Sequence, residues 1–106
     1  MTEGCECMNE YMGMRFDWDL DKAKENAKKH GVTFMEARTA FIDEHSQIYD
    51  DEEHSDIEER FILIGYSKNT RLLIVCHCYR NGDDITRIIS ARKATSQERK
   101  KYEDGG

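Results

Sequence analysis

Three apolar runs in the second half of the chain constrain the fold more than any other feature. "RFILIGYS" (60–67), "RLLIVCHCYR" (71–80) and "ITRIISAR" (85–92) are each of strand length, and only "KNT" and "NGDD" separate them. Connectors that short join antiparallel neighbours, and Asn81-Gly82 is a strong hairpin signal. The pattern predicts a three-stranded antiparallel meander. A chain of 106 residues has room for one core around it.

Upstream, the signals change to helical ones. "MRFDW" (14–18) alternates as a short strand, and "DLDKAKENAKKHG" (19–31) has an acidic start, good helix formers, late basic residues and a terminal Gly31. The spacing predicts a helix over 20–30. Thr33 and Glu36 have the spacing of a capping box for a second short helix, one face of which would carry Phe34, Ala37, Ala40 and Phe41. Residues 43–59 are too acidic for a core element and read as solvated loop, with "SQIY" a short strand inside it. "TSQE" (95–98) is another capping box, opening a last helix through about Tyr102. The resulting class is α+β: a small antiparallel β-sheet, two N-terminal helices packed on it and a short C-terminal helix. Residues 1–13 lack periodicity and read as an N-terminal extension, 14–102 as the domain, and 103–106 as a tail.

Charge divides along the chain. Residues 1–59 hold 6 Lys/Arg against 17 Asp/Glu, whereas 60–102 hold 10 against 3, so the formal net charge of -6 hides a basic half. Fields are screened within about 8 Å at physiological ionic strength, so such a half can attract a polyanion. Mutual neutralisation of the two halves across the fold is the plain alternative. No apolar run reaches membrane-span length, and the N-terminus lacks a basic segment followed by an apolar one, which points to a cytoplasmic protein without membrane contact.

No phosphate-binding loop, dinucleotide fingerprint or zinc-protease motif is present. Any chemistry must come from dispersed residues. Arg60, Arg71, Arg80, Arg87, Arg92 and Lys93 fall within strands or at their ends, and Arg99 to Lys101 on the last helix. Strict alternation along 85–92 would put Thr86, Ile88, Ser90 and Arg92 on one face, and Ile85, Arg87, Ile89 and Ala91 on the other. An Arg inside an apolar strand needs a partner, so Arg87 and Arg92 need one from protein or ligand. Clustered guanidiniums suit phosphate, because they present paired donors and stabilise the charge of a phosphorane. Cleavage by the RNA's own 2'-OH requires no metal or cofactor, only a base and an acid.

His54, His77, Glu98 and Tyr102 are the proton-transfer candidates, and each has a structural reading too: surface His, strand residue, helix cap and packing aromatic. Carboxylates around His54 should favour its protonated form. The pairs Cys5/Cys7 and Cys76/Cys78 have unusual spacing for zinc, and Cys76 and Cys78 share a strand face with Leu72 and Ile74, the pattern of small core residues.

The stretches "MRFDWDLDKAKENAKKHGVTFMEA", "FIDEHSQIYDDEEHSDIEERFILIGYS", "RLLIVCHCYR" and "RIISARKATSQERKKYE", in this order, resemble the BrnT toxins of bacterial type II toxin-antitoxin systems from Met14 to about Tyr102. The resemblance implies a fold similar to the RelE and ParE toxins and a ribonuclease that arrests translation. It also implies a BrnA-like antitoxin as partner, operator DNA contacted only through that antitoxin, and room for a toxin homodimer inside a heterotetramer. On the matching positions it assigns Arg60, Arg80 and Arg92 to the scissile phosphate and His54 to proton transfer. Arg71, Arg87, Lys93 and Arg99 go to RNA binding, with no metal ligand; Ser90 also matches. Residues 1–13 and the Cys76-His77-Cys78 run depart from the family pattern. A non-catalytic protein- or RNA-binding module of the same fold is the competing reading, and a small zinc protein a third.

Overall fold

The computed structural model describes residues 6–52 and 58–105, apart from the side chains of Glu6 and Cys7. Six strands form one sheet: β1 (Glu6–Tyr11), β2 (Met14–Asp19), β3 (Gln47–Asp50), β4 (Phe61–Tyr66), β5 (Leu72–Arg80) and β6 (Ile85–Lys93), in the order β1-β2-β6-β5-β4-β3. The meander β4-β5-β6 is antiparallel throughout. The sheet as a whole is mixed, because β2 runs parallel to β6, with Arg15, Phe16 and Asp17 opposite Ile85, Thr86 and Arg87. That pairing joins strands far apart in the chain, so no short connector announces it. Within the stretch read as an extension, β1 forms a hairpin with β2 and becomes one edge of the sheet.

Helix α1 (Leu20–His30) begins where Asp19 accepts the backbone N–H groups of Asp21 and Lys22, and stops at Gly31, whose φ of 69° suits a residue without Cβ. Helix α2 (Phe34–Ala37) is a single turn capped by Thr33, and tightens into a 3-10 helix over Arg38–Ile42. The second helix is therefore shorter than its apolar pattern implies. Phe34, Ala37 and Ala40 are nevertheless all buried, and Phe41 packs edge-on to Phe16 and to His77. Gly65 permits this closeness, since a Cβ there would stand 2.8 Å from the carbonyl oxygen of Ala40. Helix α3 (Ser96–Gly105) carries the reciprocal capping bonds between Thr95 and Glu98 and runs past the expected end.

The sheet has two unlike faces. Helices α1 and α2 cover one, where Phe16, Trp18, Phe34, Leu63, Leu73, Val75, Ile88 and Ala91 make the main core. On the other, no helix among the described residues lies across the sheet except at one end, where Tyr66 and Tyr102 pack against Ile64, Leu72 and Ile74. Asn26 of α1, buried among charged helical neighbours, accepts the N–H of Ala91 and donates to the Ala91 and Val32 carbonyls. It satisfies β6 beyond the reach of β2, which pairs only as far as Arg87.

Candidate functional site

A β-bulge decides which side chains reach the uncovered face. Cys76 pairs with Ser90 but His77 with Ile88, so Ile89 is the additional residue in β6. The bulge resets the alternation. Ile88 and Ala91, expected on opposite faces, both enter the helix-side core. Arg87 and Arg92, also expected on opposite faces, instead lie across from Cys78 and Ile74 on the uncovered one. Alternation along β5 adds Arg80, and the step before Phe61 adds Arg60. Four of the sequence-predicted arginines, from three neighbouring strands, thus share a face.

Carboxylates stand among them. Arg80 Nη2 lies 3.6 Å from Glu58 Oε1, and Arg60 Nε lies 3.9 Å from Glu58 Oε2. Arg87 Nη1 is 3.2 Å from Asp17 Oδ1 on β2, a charge contact without hydrogen-bond geometry. Arg92 is held by both oxygens of Glu98, at 2.8 and 2.9 Å. That pair, with the Thr95 N–H as a second donor, lowers the Glu98 carboxyl to about 2 against its burial. The partner Arg92 required is therefore the helix cap itself.

Between these groups lies a cavity of about 320 Å³ lined by Asp51, Arg60, Ile62, Ile74, Cys76, Ile89, Ser90 and Arg92. Its volume is near the low end of the roughly 300–1,000 Å³ usual for ligand sites. Asp51 is 7% exposed although it belongs to the acidic run, and it accepts the Cys76 thiol at 3.6 Å. Burial, followed by the Asp51 charge, pushes that thiol up to about 11, so it stays protonated. Cys78 is buried nearby and also raised, by burial first and then Glu58, while Arg80, Arg87 and Arg60 oppose the rise. Nothing in the local sequence marks Asp51 or Cys76 as cavity residues, because the cavity joins four chain segments.

The other expected residues are placed differently. Arg71 lies on the helix side, bonded to both Glu36 oxygens and to the Gly31 carbonyl. Glu36 also accepts Ser67 Oγ at 2.7 Å, so its carboxylate anchors the β4-β5 turn, and Arg71 holds it below the usual range. The Thr33 hydroxyl accepts the Glu36 N–H as a capping box predicts. Lys93 pairs with Leu73, and so points to the helix side at an exposed strand end. Arg99 donates to Tyr66 Oη at 2.9 Å from the exposed side of α3.

His77 is fully buried on the helix side, its ring nitrogens at 3.2 Å from the Val75 carbonyl and from Tyr79 Oη. Burial lowers it to about 4, so it is neutral and remote from the cavity. Tyr102 donates to Asp43 at 2.6 Å, and burial with that bond raises its hydroxyl well above the ordinary value. Both are structural residues. His54 and Cys5, and the Cys7 side chain, lie outside the described residues. Among the described residues, no group of three or more His, Cys, Asp or Glu side chains is arranged to hold a metal. No helix among them is long and apolar enough to cross a membrane.

The face thus carries four arginines, each beside a carboxylate, and a cavity that two of them line. No curated protein matches the chain. A family described as "Ribonuclease toxin, BrnT, of type II toxin-antitoxin system" matches residues 18–98, which include α1, α2, β3 to β6 and the four arginines of the uncovered face. With well over half of its length matched, the chain belongs to the BrnT family of ribonuclease toxins of type II toxin-antitoxin systems.

Proposed function

We propose that the uncovered face cleaves RNA without a metal ion and thereby arrests translation in the cytoplasm. The observation that carries this reading is the convergence of Arg60, Arg80, Arg87 and Arg92 on one face of the sheet. Arg60 and Arg92 line the cavity and would hold the scissile phosphate, with Arg80 at the next position outward. Donors fixed on strands need little reorganisation as charge grows on the phosphorane. Arg87 and Arg99 extend the arginine track, whereas Lys93 points to the helix side and would meet RNA only past the exposed end of β6.

Arg71 drops out of this surface. Its Glu36 and Gly31 bonds support a purely structural role on the other side of the sheet. His54 keeps proton transfer in this reading, as a residue of the segment between Asp51 and Glu58. The mixed sheet backed by helices accords with a RelE-like fold.

The same face offers a surface for a BrnA-like antitoxin to occlude, and operator DNA would be reached through that partner alone. A toxin pair within a heterotetramer fits this scheme. The competing binder reading draws on one observation: Arg92 is already bidentate with Glu98 and must exchange that partner to meet a phosphate.

Purified, antitoxin-free protein incubated with total bacterial RNA in EDTA, beside Arg92→Ala, separates the two. Products from the wild type alone support the ribonuclease. Salt-sensitive RNA association with no cut product by either, with or without ribosomes, rejects it.

A further inference from the structure

We infer that Asp51 is the general base that takes the proton from the attacking 2'-OH of the RNA. This rests on the ribonuclease reading and adds a residue to it. Asp51 follows β3 directly, and its backbone N–H donates to the Arg60 carbonyl at 2.9 Å, continuing the β3-β4 ladder by one step. Asp51 and Arg60 are therefore neighbours on the same face. Asp51 is 7% exposed as a residue yet borders the cavity that Arg60, Ser90 and Arg92 share. A phosphate held between Arg60 and Arg92 brings its ribose toward the Asp51 wall, and the apolar flank of Ile62, Ile74 and Ile89 leaves room for a base.

The other described acid-base groups fail on geometry. Glu98 does not line the cavity, and one of its oxygens is held by the Thr95 N–H at the start of α3. His77 faces the helices. Glu58 lies between Arg60 and Arg80 and does not line the cavity. Among the described residues that line the cavity with Asp51 are Arg60 from the β4 side, the protonated Cys76 thiol from β5, and Ser90 and Arg92 from β6. The thiol donates to Asp51 Oδ2 and so holds the carboxylate beside the cavity that Arg60 and Arg92 line. In the step, the 2'-oxygen gives its proton to Asp51 and bonds to phosphorus. The P–O5' bond breaks, and the leaving 5'-oxygen takes a proton from water, giving a 2',3'-cyclic phosphate and a 5'-hydroxyl.

The test compares wild type, Asp51→Asn and Asp51→Ser on a short RNA containing a mapped cut site, in EDTA, across pH. A twin substrate carries sulfur at the leaving 5' position. Asp51→Asn should lose about 10²–10⁴-fold in kcat with KM within about threefold. It should also lose the rise of kcat/KM with pH at the acid end, and the sulfur substrate should not recover the rate, because a better leaving group spares the acid and not the base. Formate should partly restore Asp51→Ser, which stands in if the Asn variant does not fold. A variant within about threefold of wild type, a rate restored by the sulfur substrate, or a loss with the acid limb intact and no formate response each overturns the assignment. Wild type that cuts no RNA overturns the ribonuclease reading as well, so the two failures are distinguishable.

Discussion

Two Arg–Glu pairs, one on each face of the sheet, show how surroundings divide identical chemistry between structure and function. Arg71 binds Glu36 on the helix side, where Glu36 is 8% exposed and also holds Ser67 of the β4-β5 turn. Arg92 binds Glu98 on the uncovered side, where both side chains keep substantial exposure and a cavity opens beside them. In the first pair the carboxylate is enclosed by the fold. The second is open to an incoming anion, which can compete for Arg92. The same division runs along β5, where His77 is neutral and packed beneath the 3-10 helix while Cys76 and Cys78 face the arginines.

The sharpest way to break this contrast is to damage each face alone. Phe34→Ala opens a void in the helix-side core and should cost roughly 3–5 kcal/mol by denaturant unfolding. RNA cleavage per folded molecule should barely change. Arg92→Ala should do the reverse, lowering cleavage by about 10²–10³-fold, the usual loss for one donor to a developing oxyanion, and costing only about 1 kcal/mol of stability because its pair with Glu98 is well exposed. Loss of cleavage in the core variant at full folding, or a large destabilisation of Arg92→Ala, would erase the distinction.

His77 supplies a pH test confined to the helix side. Burial lowers its folded pKa to about 4 from an ordinary 6.5, so below 6.5 the unfolded chain takes up a proton that the folded one refuses. Stability should fall as pH drops from about 6.5 to about 4, by roughly 3 kcal/mol in all. Thermal melts of His77→Leu should lack that slope. The Glu98 contribution has the usual carboxylate sense and a lower window, present above about 4.5 and lost toward about 2.

Arg71→Ala is the smaller test, and it separates the two ion pairs directly. Leaving Glu36 without its guanidinium should cost about 2 kcal/mol, reduced from the value for a fully buried pair because Arg71 is a third exposed. Its effect on cleavage by folded protein should stay within about threefold. A loss as large as that of Arg92→Ala would return Arg71 to the RNA surface.

Much of this was legible in local sequence because it depends on local physics. Short connectors dictate the β4-β5-β6 meander, Asp19 and Gly31 bound α1 through their capping bonds, and Thr95 with Glu98 opens α3. The concentration of arginines in the second half was visible as well. Periodicity failed at one residue: the bulge at Ile89 shifts the alternation, and no residue type there announces it. That shift puts Arg87 and Arg92 on one face and so decides whether a site exists.

Only the tertiary structure could assign the partners. Arg71 and Arg92 look alike in the chain, yet one meets Glu36 across 35 residues under the helices and the other meets the cap of α3 on the uncovered face. Asp51 reads as one more carboxylate of a solvated run until the β3-β4 ladder carries it beside Arg60. The parallel β2-β6 pairing, and the Asn26 bonds that complete it, likewise join residues too distant for any local signal. Sequence determined the elements because turn and cap energies act over a few residues. Burial and strand register determined the chemistry, because both are properties of the assembled sheet.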